Sequence, residues 1–149
     1  MKKHFLFLSL FLALIYFSSC SSSDNNSEIS VKSITDTRWV LRTLNDTKVF
    51  TPESGKDIYI LLEKGSNEAN GSGGCNNFFA SYTISGEFIK FGPVASTEMF
   101  CENSMDTEKD FFKVLEKTSL YRIKNNFLYL SDVTGVIAKL EAVDLNQNK

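Results

Sequence analysis

The most reactive side chains in the body of the chain are two cysteines, Cys75 and Cys101, which lie 26 positions apart. That separation lacks the paired CxxC grouping of zinc sites. In an oxidising compartment the two thiols favour one disulfide, and the alternative is a pair of buried free thiols packed as small apolar groups. Cysteine or serine catalysis would need a histidine, and the only one in the sequence is His4 near the start. A Cys-His pair, a Ser-His-Asp triad and a histidine metal site are therefore not expected.

Carboxylates offer the next possible chemistry. Glu98 and Glu102, and likewise Asp106 and Asp110, are spaced four residues apart. Two converging carboxyl groups can act as acid and nucleophile in glycoside hydrolysis. Such pairs are more often solvated surface acids, and that interpretation is favoured here.

A glycine-rich run, Gly71-Ser-Gly-Gly74, could in principle wrap a phosphate group. No Lys-Ser or Lys-Thr pair follows it, and it does not open a helix, so it does not fit a phosphate-binding loop. The residue types therefore predict a protein that is not an enzyme and that holds no cofactor and no metal.

The beginning of the chain predicts export. A short basic segment precedes an apolar run from Phe5 to Phe17, whose 13 residues span about 20 Å as a helix, short of the roughly 30 Å hydrocarbon layer. This pattern is typical of a signal peptide rather than of a short membrane anchor. Phe17-Ser-Ser-Cys20 resembles a bacterial lipobox, which predicts removal of residues 1–19 and lipidation of Cys20. Ordinary cleavage after Ser19, which would release a soluble protein, is the alternative.

Residues 20–33 are rich in Ser, Asn and Asp and nearly free of apolar side chains, so they are expected to be a flexible tether. Loss of Lys2 and Lys3 with the signal leaves 14 basic against 18 acidic residues, a net charge of −4. This charge does not favour nucleic acid. A lipid anchor implies the cell envelope, with the outer membrane as the expected location and the membrane itself as one partner.

The remaining chain is predicted to form one domain over residues 34–143, with a polar tail at 144–149. Strand-like runs cover Arg38–Leu44, Ile58–Leu62 and Val136–Val143. Two further segments share one hairpin pattern, with Gly86-Glu87 and Asn125-Asn126 at their turns. One amphipathic helix near Ser104–Lys117 interrupts the strands, with Ser104 as its cap and an apolar stripe expected to pack on the sheet. Nine phenylalanines beyond the signal predict an aromatic core.

Several of these segments together resemble the META domain, the HslJ-like family of envelope proteins. The resemblance covers nearly the whole predicted domain in the family's order. Two positions depart from the family pattern: Ala80 replaces a glycine, and Phe100 replaces a small residue. The residues that match the motif are Trp39 with Leu41, Gly74-Cys75-Asn76, Tyr82, Thr97 with Met99 and Cys101, and Glu108 with Phe111 and Leu115.

The resemblance implies an α+β fold, an antiparallel, partly open (cracked) β-barrel-like sheet of about six to eight strands with one packed α-helix. If residues 97–101 form a strand, Thr97, Met99 and Cys101 share one face, and a Cys75–Cys101 disulfide would staple the domain. The implied function is a non-catalytic binding or assembly module, pilot-like or linked to a stress response, with an envelope protein or lipid as partner. The alternative is a small-ligand binder or an inhibitor of a cell-wall hydrolase, acting through the loops 47–56 or 65–74.

Overall fold

A computed structural model describes residues 32–51, 55–102 and 104–144. The signal peptide, Cys20, most of the predicted tether and nearly all of the C-terminal tail lie outside the described residues. The elements in chain order are β1 (Arg38–Leu44), β2 (Thr47–Lys48), β3 (Tyr59–Leu62), β4 (Glu68–Ser72), β5 (Asn77–Ser85), β6 (Phe88–Phe91), β7 (Ala95–Ser96), α1 (Met105–Lys117), β8 (Leu120–Lys124), β9 (Phe127–Asp132) and β10 (Gly135–Val143).

Eight of the ten strands in these described ranges form a ring. The order is β10-β9-β8-β6-β5-β4-β3-β1, and β1 pairs again with β10; the two-residue strands β2 and β7 pair at the side with β1 and β5. All of these strand pairs are antiparallel, so the predicted α+β fold with a barrel-like antiparallel sheet and one helix is confirmed for the described residues. The ring has eight strands, at the upper end of the predicted six to eight, and the two short strands bring the total to ten. The pairing of β1 with β10 is extensive and runs from Arg38 opposite Val143 to Leu44 opposite Ala138.

The ring is weakest between β6 and β8, which gives the predicted open side. In the described chain one residue pair, Phe88 with Leu120, is in register there. Two further backbone bonds support it, from Ile89 N to Ser119 O (3.1 Å) and from Tyr121 N to Glu87 O (2.9 Å). We call this junction the β6–β8 seam. The helix α1 immediately precedes β8 and lies against β6.

The turns follow the sequence signals. Asn45 and Asp46 both have positive φ (46° and 63°) between β1 and β2, and Gly86 and Asn125 have positive φ at the two predicted hairpins. Asn and Gly tolerate this conformation at low cost. The predicted loop at residues 65–74 is wrong over half of its length: β4 occupies Glu68–Ser72, because β3 and β5 pair with it on both sides.

Alternating side chains fill the interior of the ring. Trp39 and Leu41 of β1 point inward opposite Ile60 and Leu140, as the period of two along a strand requires. The most deeply buried side chains form one continuous core: Trp39, Leu41, Ile60, Leu62, Phe111, Leu115, Leu128, Leu130 and Leu140.

The helix contributes its apolar side to this core, as predicted. Phe111 and Phe112 meet the ring of Phe78 edge-on, at centroid distances of 6.0 and 5.2 Å. Ser104 occupies the N-cap position, as predicted, and its backbone carbonyl accepts from Glu108 N, but its side chain makes no cap hydrogen bond. Within the described residues no helix is both long enough and apolar enough to cross a bilayer.

The prediction of an aromatic core holds for only part of the phenylalanines. Phe78, Phe91 and Phe111 are buried, while Phe112 and Phe127 are half-buried. The remaining four face solvent, because they fall at outward strand positions or in connecting segments: Phe50 (80% exposed), Phe79 (66%), Phe88 (65%) and Phe100 (83%).

Candidate functional site

The residues of the glycine-cysteine-asparagine segment converge on one buried side chain, Asn76. Its amide nitrogen donates to Met99 O (3.1 Å) and to Glu108 Oε1 (2.7 Å). Its amide oxygen accepts from Thr97 Oγ1 and from Met99 N, both at 2.7 Å. An asparagine side chain has two donors and one oxygen with two acceptor sites, so its full hydrogen-bonding capacity is used.

Glu108 lies beneath Asn76 and is 4% exposed. Its Oε2 accepts from the backbone N of Asn76 at 2.7 Å, while Oε1 accepts from the Asn76 side chain. Glu108 is in the first turn of α1, where the helix dipole favours a carboxylate. The acid therefore joins the helix to the chain segment that precedes β5.

Close backbone approach makes room for this carboxyl group. A Cβ added to Gly73 would lie 2.5 Å from Glu108 Cγ and 2.6 Å from Glu108 Oε2. Gly73 N also donates to Asn76 O (2.8 Å), which closes a tight turn between β4 and β5. Glycine at this position lets the helix sit directly on the turn.

The predicted disulfide is present. Cys75 and Cys101 are bonded, with a Cα–Cα distance of 5.9 Å, which is within the usual range. Cys75 is buried and directly precedes Asn76. The disulfide and the Asn76 side chain thus hold the same segment, residues 97–101. We call Gly73, Cys75, Asn76, Thr97, Met99, Cys101 and Glu108 the Asn76 cluster.

The predicted strand at residues 97–101 is wrong. β7 ends at Ser96, and the residues that follow are irregular. The backbone N and O of Met99 bond to the Asn76 side chain instead of to a neighbouring strand. The side chain of Met99 is consequently 50% exposed, and Phe100, one of the departures from the family pattern, points into solvent.

The other predicted motif residues lie elsewhere in the fold. Trp39 is fully buried and donates from Nε1 to Ile34 O (2.9 Å). Tyr82 donates from its hydroxyl to Glu63 O (2.8 Å); burial raises the pKa of this hydroxyl, and the carboxylates of Asp36 and Glu63 raise it further. Ala80, the second departure, sits in the regular strand β5 opposite Ala69, so glycine is not needed there.

The Asn76 cluster joins the β4–β5 turn, residues 97–101 and the helix α1, and its polar groups are bonded to one another. The thiols are joined, the four hydrogen-bonding positions of Asn76 are filled, and both oxygens of Glu108 accept hydrogen bonds. Across the described ranges, no group of three or more His, Cys, Asp or Glu side chains is placed to hold a metal ion.

A scan against protein families gives one decisive observation: the family model described as META domain matches residues 32–144. The chain belongs to the META domain family. The matched range contains every strand of the ring, the helix and the whole Asn76 cluster. A search of curated proteins gave no match.

Two solved structures share the fold of this META domain. An NMR structure of a protein from Burkholderia xenovorans has a TM-score of 0.61 at 22% identity, covering 74% of this chain and 83% of that one. A second NMR structure has a TM-score of 0.59 at 20% identity, covering 74% of this chain and 92% of that one. At these identities the likeness concerns the fold alone.

The geometry divides the predicted META motif into two groups. Asn76, Thr97, Met99 and Glu108 meet in one cluster together with the disulfide, whereas Trp39 and Tyr82 each anchor a different part of the ring. The sequence pattern alone does not reveal that Asn76 is hydrogen-bonded to Thr97, Met99 and Glu108 at once. One signal was available: Glu108 lies three and seven positions before Phe111 and Leu115, which places an acid on the apolar side of the helix.

Proposed function

We propose that this META domain is a non-catalytic binding or assembly module, held at the bacterial envelope by a lipid on Cys20, with an envelope protein or lipid as its partner. One observation carries the proposal. The polar groups of the Asn76 cluster are used within the fold, while four large aromatic side chains are presented to solvent. Exposed aromatic side chains are typical of surfaces that bind partners.

The cysteine pairing supports lipidation of Cys20. Of the three cysteines, Cys75 and Cys101 are joined to each other, so Cys20 is the one left for a lipid. Intact-mass analysis of the native protein should show a chain that begins at Cys20 and carries acyl groups. A Cys20→Ala variant should move from the membrane to the soluble fraction, whereas the Cys75→Ala/Cys101→Ala control should stay membrane-bound. An unprocessed or unacylated N-terminus would refute the anchoring.

The binding role can be tested in intact cells with a photo-crosslinking residue. We expect a discrete adduct with a protein or a lipid when the probe replaces Phe79, Phe88 or Phe100. The same probe at Lys64, in the turn between β3 and β4, serves as the control. Identical background at all four positions would contradict a binding role for the exposed aromatic side chains.

Inhibition of a cell-wall hydrolase is the second candidate, favoured by one observation. Phe50 lies in the predicted inhibitory loop 47–56 and is 80% exposed, so it could enter an active-site cleft. Half of the other predicted inhibitory segment, 65–74, is the strand β4, which is paired on both sides. Lysozyme-type assays should show inhibition that a Phe50→Ser variant loses and a Phe88→Ser variant keeps. Equal activity with and without the protein would rule out this candidate for the enzyme tested.

A further inference from the structure

The outer surface of the ring carries a basic and aromatic face on β8, β9, β10, β1 and β2. Strand register places Arg122 opposite Tyr129, Tyr129 opposite Lys139, and Lys139 opposite Thr43, which is in turn opposite Lys48. The neighbouring row runs from Lys124 through Phe127 to Glu141. We call this surface the basic face; its cations are Arg42, Lys48, Arg122, Lys124 and Lys139.

Aromatic rings support the cations of this face. Lys139 Nζ lies 4.0 Å from the ring centroid of Phe127 and 5.9 Å from that of Tyr129. The guanidinium of Arg122 lies 5.7 Å from the Tyr129 ring. A cation above an aromatic face is attracted by the ring quadrupole. The charges are therefore held in a row along the outside of the sheet.

The charge of this face is opposite to that of the rest of the domain. Residues 34–143 contain 12 Lys and Arg and 15 Asp and Glu. The basic face holds five of the cations and one acid, Glu141, which pairs with Arg42 at 2.8 Å. Glu53 lies outside the described residues; among the other described residues of this range seven are basic and 13 acidic, so a net charge of about +4 faces one side and about −6 is spread over the remainder.

An apolar groove adjoins the cations. It has a volume of about 500 Å³, and its walls include Val49, Phe50 and Phe127 beside Arg42, Lys48 and Lys139. The ring of Phe50 is 80% exposed at this groove. Protruding aromatic groups beside a row of cations match the chemistry of a lipid surface, where phosphates lie above an apolar layer.

The chain enters the domain close to this face. Lys32 Nζ pairs with Asp144 Oδ1 at 3.0 Å, directly after β10, the strand that contributes Lys139 and Glu141. The predicted tether of residues 20–33 has a reach of about 20 Å as a flexible coil. A domain anchored through it would be close enough to the membrane for the basic face to touch the surface.

We propose that the basic face docks on anionic phospholipid headgroups and orients the META domain against the membrane that anchors it. This rests on the proposed lipid anchoring and adds a membrane-facing surface that is separate from the one tested at Phe79, Phe88 and Phe100. The acidic remainder is repelled by the same membrane, so one orientation is selected. Each Lys or Arg near an anionic leaflet strengthens binding by about fivefold.

The test uses the mature chain with Cys20→Ser, so that no acyl group contributes. This protein should cosediment with phosphatidylglycerol vesicles and not with phosphatidylcholine vesicles, and added salt should release it, since salt screens exposed charges. The triple variant Arg122→Gln/Lys124→Gln/Lys139→Gln should bind about 100-fold more weakly. The matched control, Lys64→Gln/Lys90→Gln/Lys109→Gln, makes the same change in net charge on other faces and should keep most of the binding.

Equal binding by the two triple variants, or no binding by the parent protein, would overturn the proposal. Release by millimolar inorganic phosphate but not by sodium chloride of the same ionic strength would overturn it too, by indicating a site for a small anion. If instead an acidic envelope protein binds the basic face and vesicles do not, the partner is a protein. Circular dichroism should give the same thermal midpoint for all variants. Acylation of Cys20 is measured separately, so failure of docking and failure of the anchoring proposal are distinguishable.

Discussion

The Asn76 cluster and the β6–β8 seam hold the same ring by different means. At the cluster, a disulfide, a saturated asparagine and a buried glutamate join the β4–β5 turn, the 97–101 segment and the helix. At the seam, one residue pair and two flanking backbone bonds join two strands. Covalent and buried polar links concentrate on the part of the chain that lacks regular strand partners, while the seam is the site at which we expect the ring to open first.

The largest predicted effect is that of Asn76→Ala. Removing the amide leaves Met99 N, Met99 O and Glu108 Oε1 without partners, and each such loss inside a protein costs about 1–3 kcal/mol. We expect the free energy of unfolding to fall by about 4 kcal/mol in urea denaturation. The adjacent Asn77→Ala, at an exposed strand position, should change it by less than about 0.5 kcal/mol. Similar small effects from both variants would show that the hydrogen bonds of the Asn76 side chain do not stabilise the fold.

Loss of the disulfide should have the next largest effect. Its 26-residue separation predicts a contribution of about 3–4 kcal/mol on the chain-entropy model. The Cys75→Ala/Cys101→Ala variant is expected to unfold at correspondingly lower urea, and reductant should destabilise the parent protein but not this variant. If the combined loss with Asn76→Ala is smaller than the sum, the two links restrain the same segment.

Amide hydrogen exchange can compare the seam with the regularly paired strands β1 and β3 on another part of the ring. The amides of Ile89 and Tyr121 bond across the seam, whereas Leu41 N bonds to Ile58 O at 2.8 Å between β1 and the residue before β3. We expect the two seam amides to exchange about 100-fold faster than that of Leu41, because local opening exposes them first. Equal protection of all three would mean that the ring unfolds as one unit.

Local patterns account for much of this fold. β1 has the limits that its apolar run predicts, both hairpin turns fall at the predicted Gly86 and Asn125, and the cysteines pair. β4 was missed because Glu68–Ser72 contains no β-branched or aromatic residue; it becomes a strand through its neighbours on both sides. Intrinsic β-propensity therefore predicts a strand poorly where pairing with neighbouring strands determines the structure.

The candidate site was predictable only in part, for a related reason. The alternation of Thr97, Met99 and Cys101 suits a strand, but alternation alone does not reveal whether the backbone bonds to a strand or to a side chain. Here the partner is the amide of Asn76, which is 23 residues from Met99 in sequence. Contacts of that separation depend on how the ring brings β5 and the helix together.

Two glycines provide the finest test of the contrast between the cluster and the seam. At Gly73 a methyl group would meet the Glu108 side chain at 2.5 Å, so Gly73→Ala should force the helix away from the turn and cost about 1–3 kcal/mol. At Gly86, beside the seam, no atom lies within 4 Å of an added Cβ, and the expected cost of about 1 kcal/mol comes only from its φ of +61°. Gly73→Ala should also weaken protection of the Asn76 amide, which donates to Glu108, while Gly86→Ala should speed exchange only near the seam. If both variants lost the same stability and showed the same pattern of exchange, the helix would be displaced at no greater cost than a surface turn. The Asn76 cluster would then not be packed more tightly than the seam.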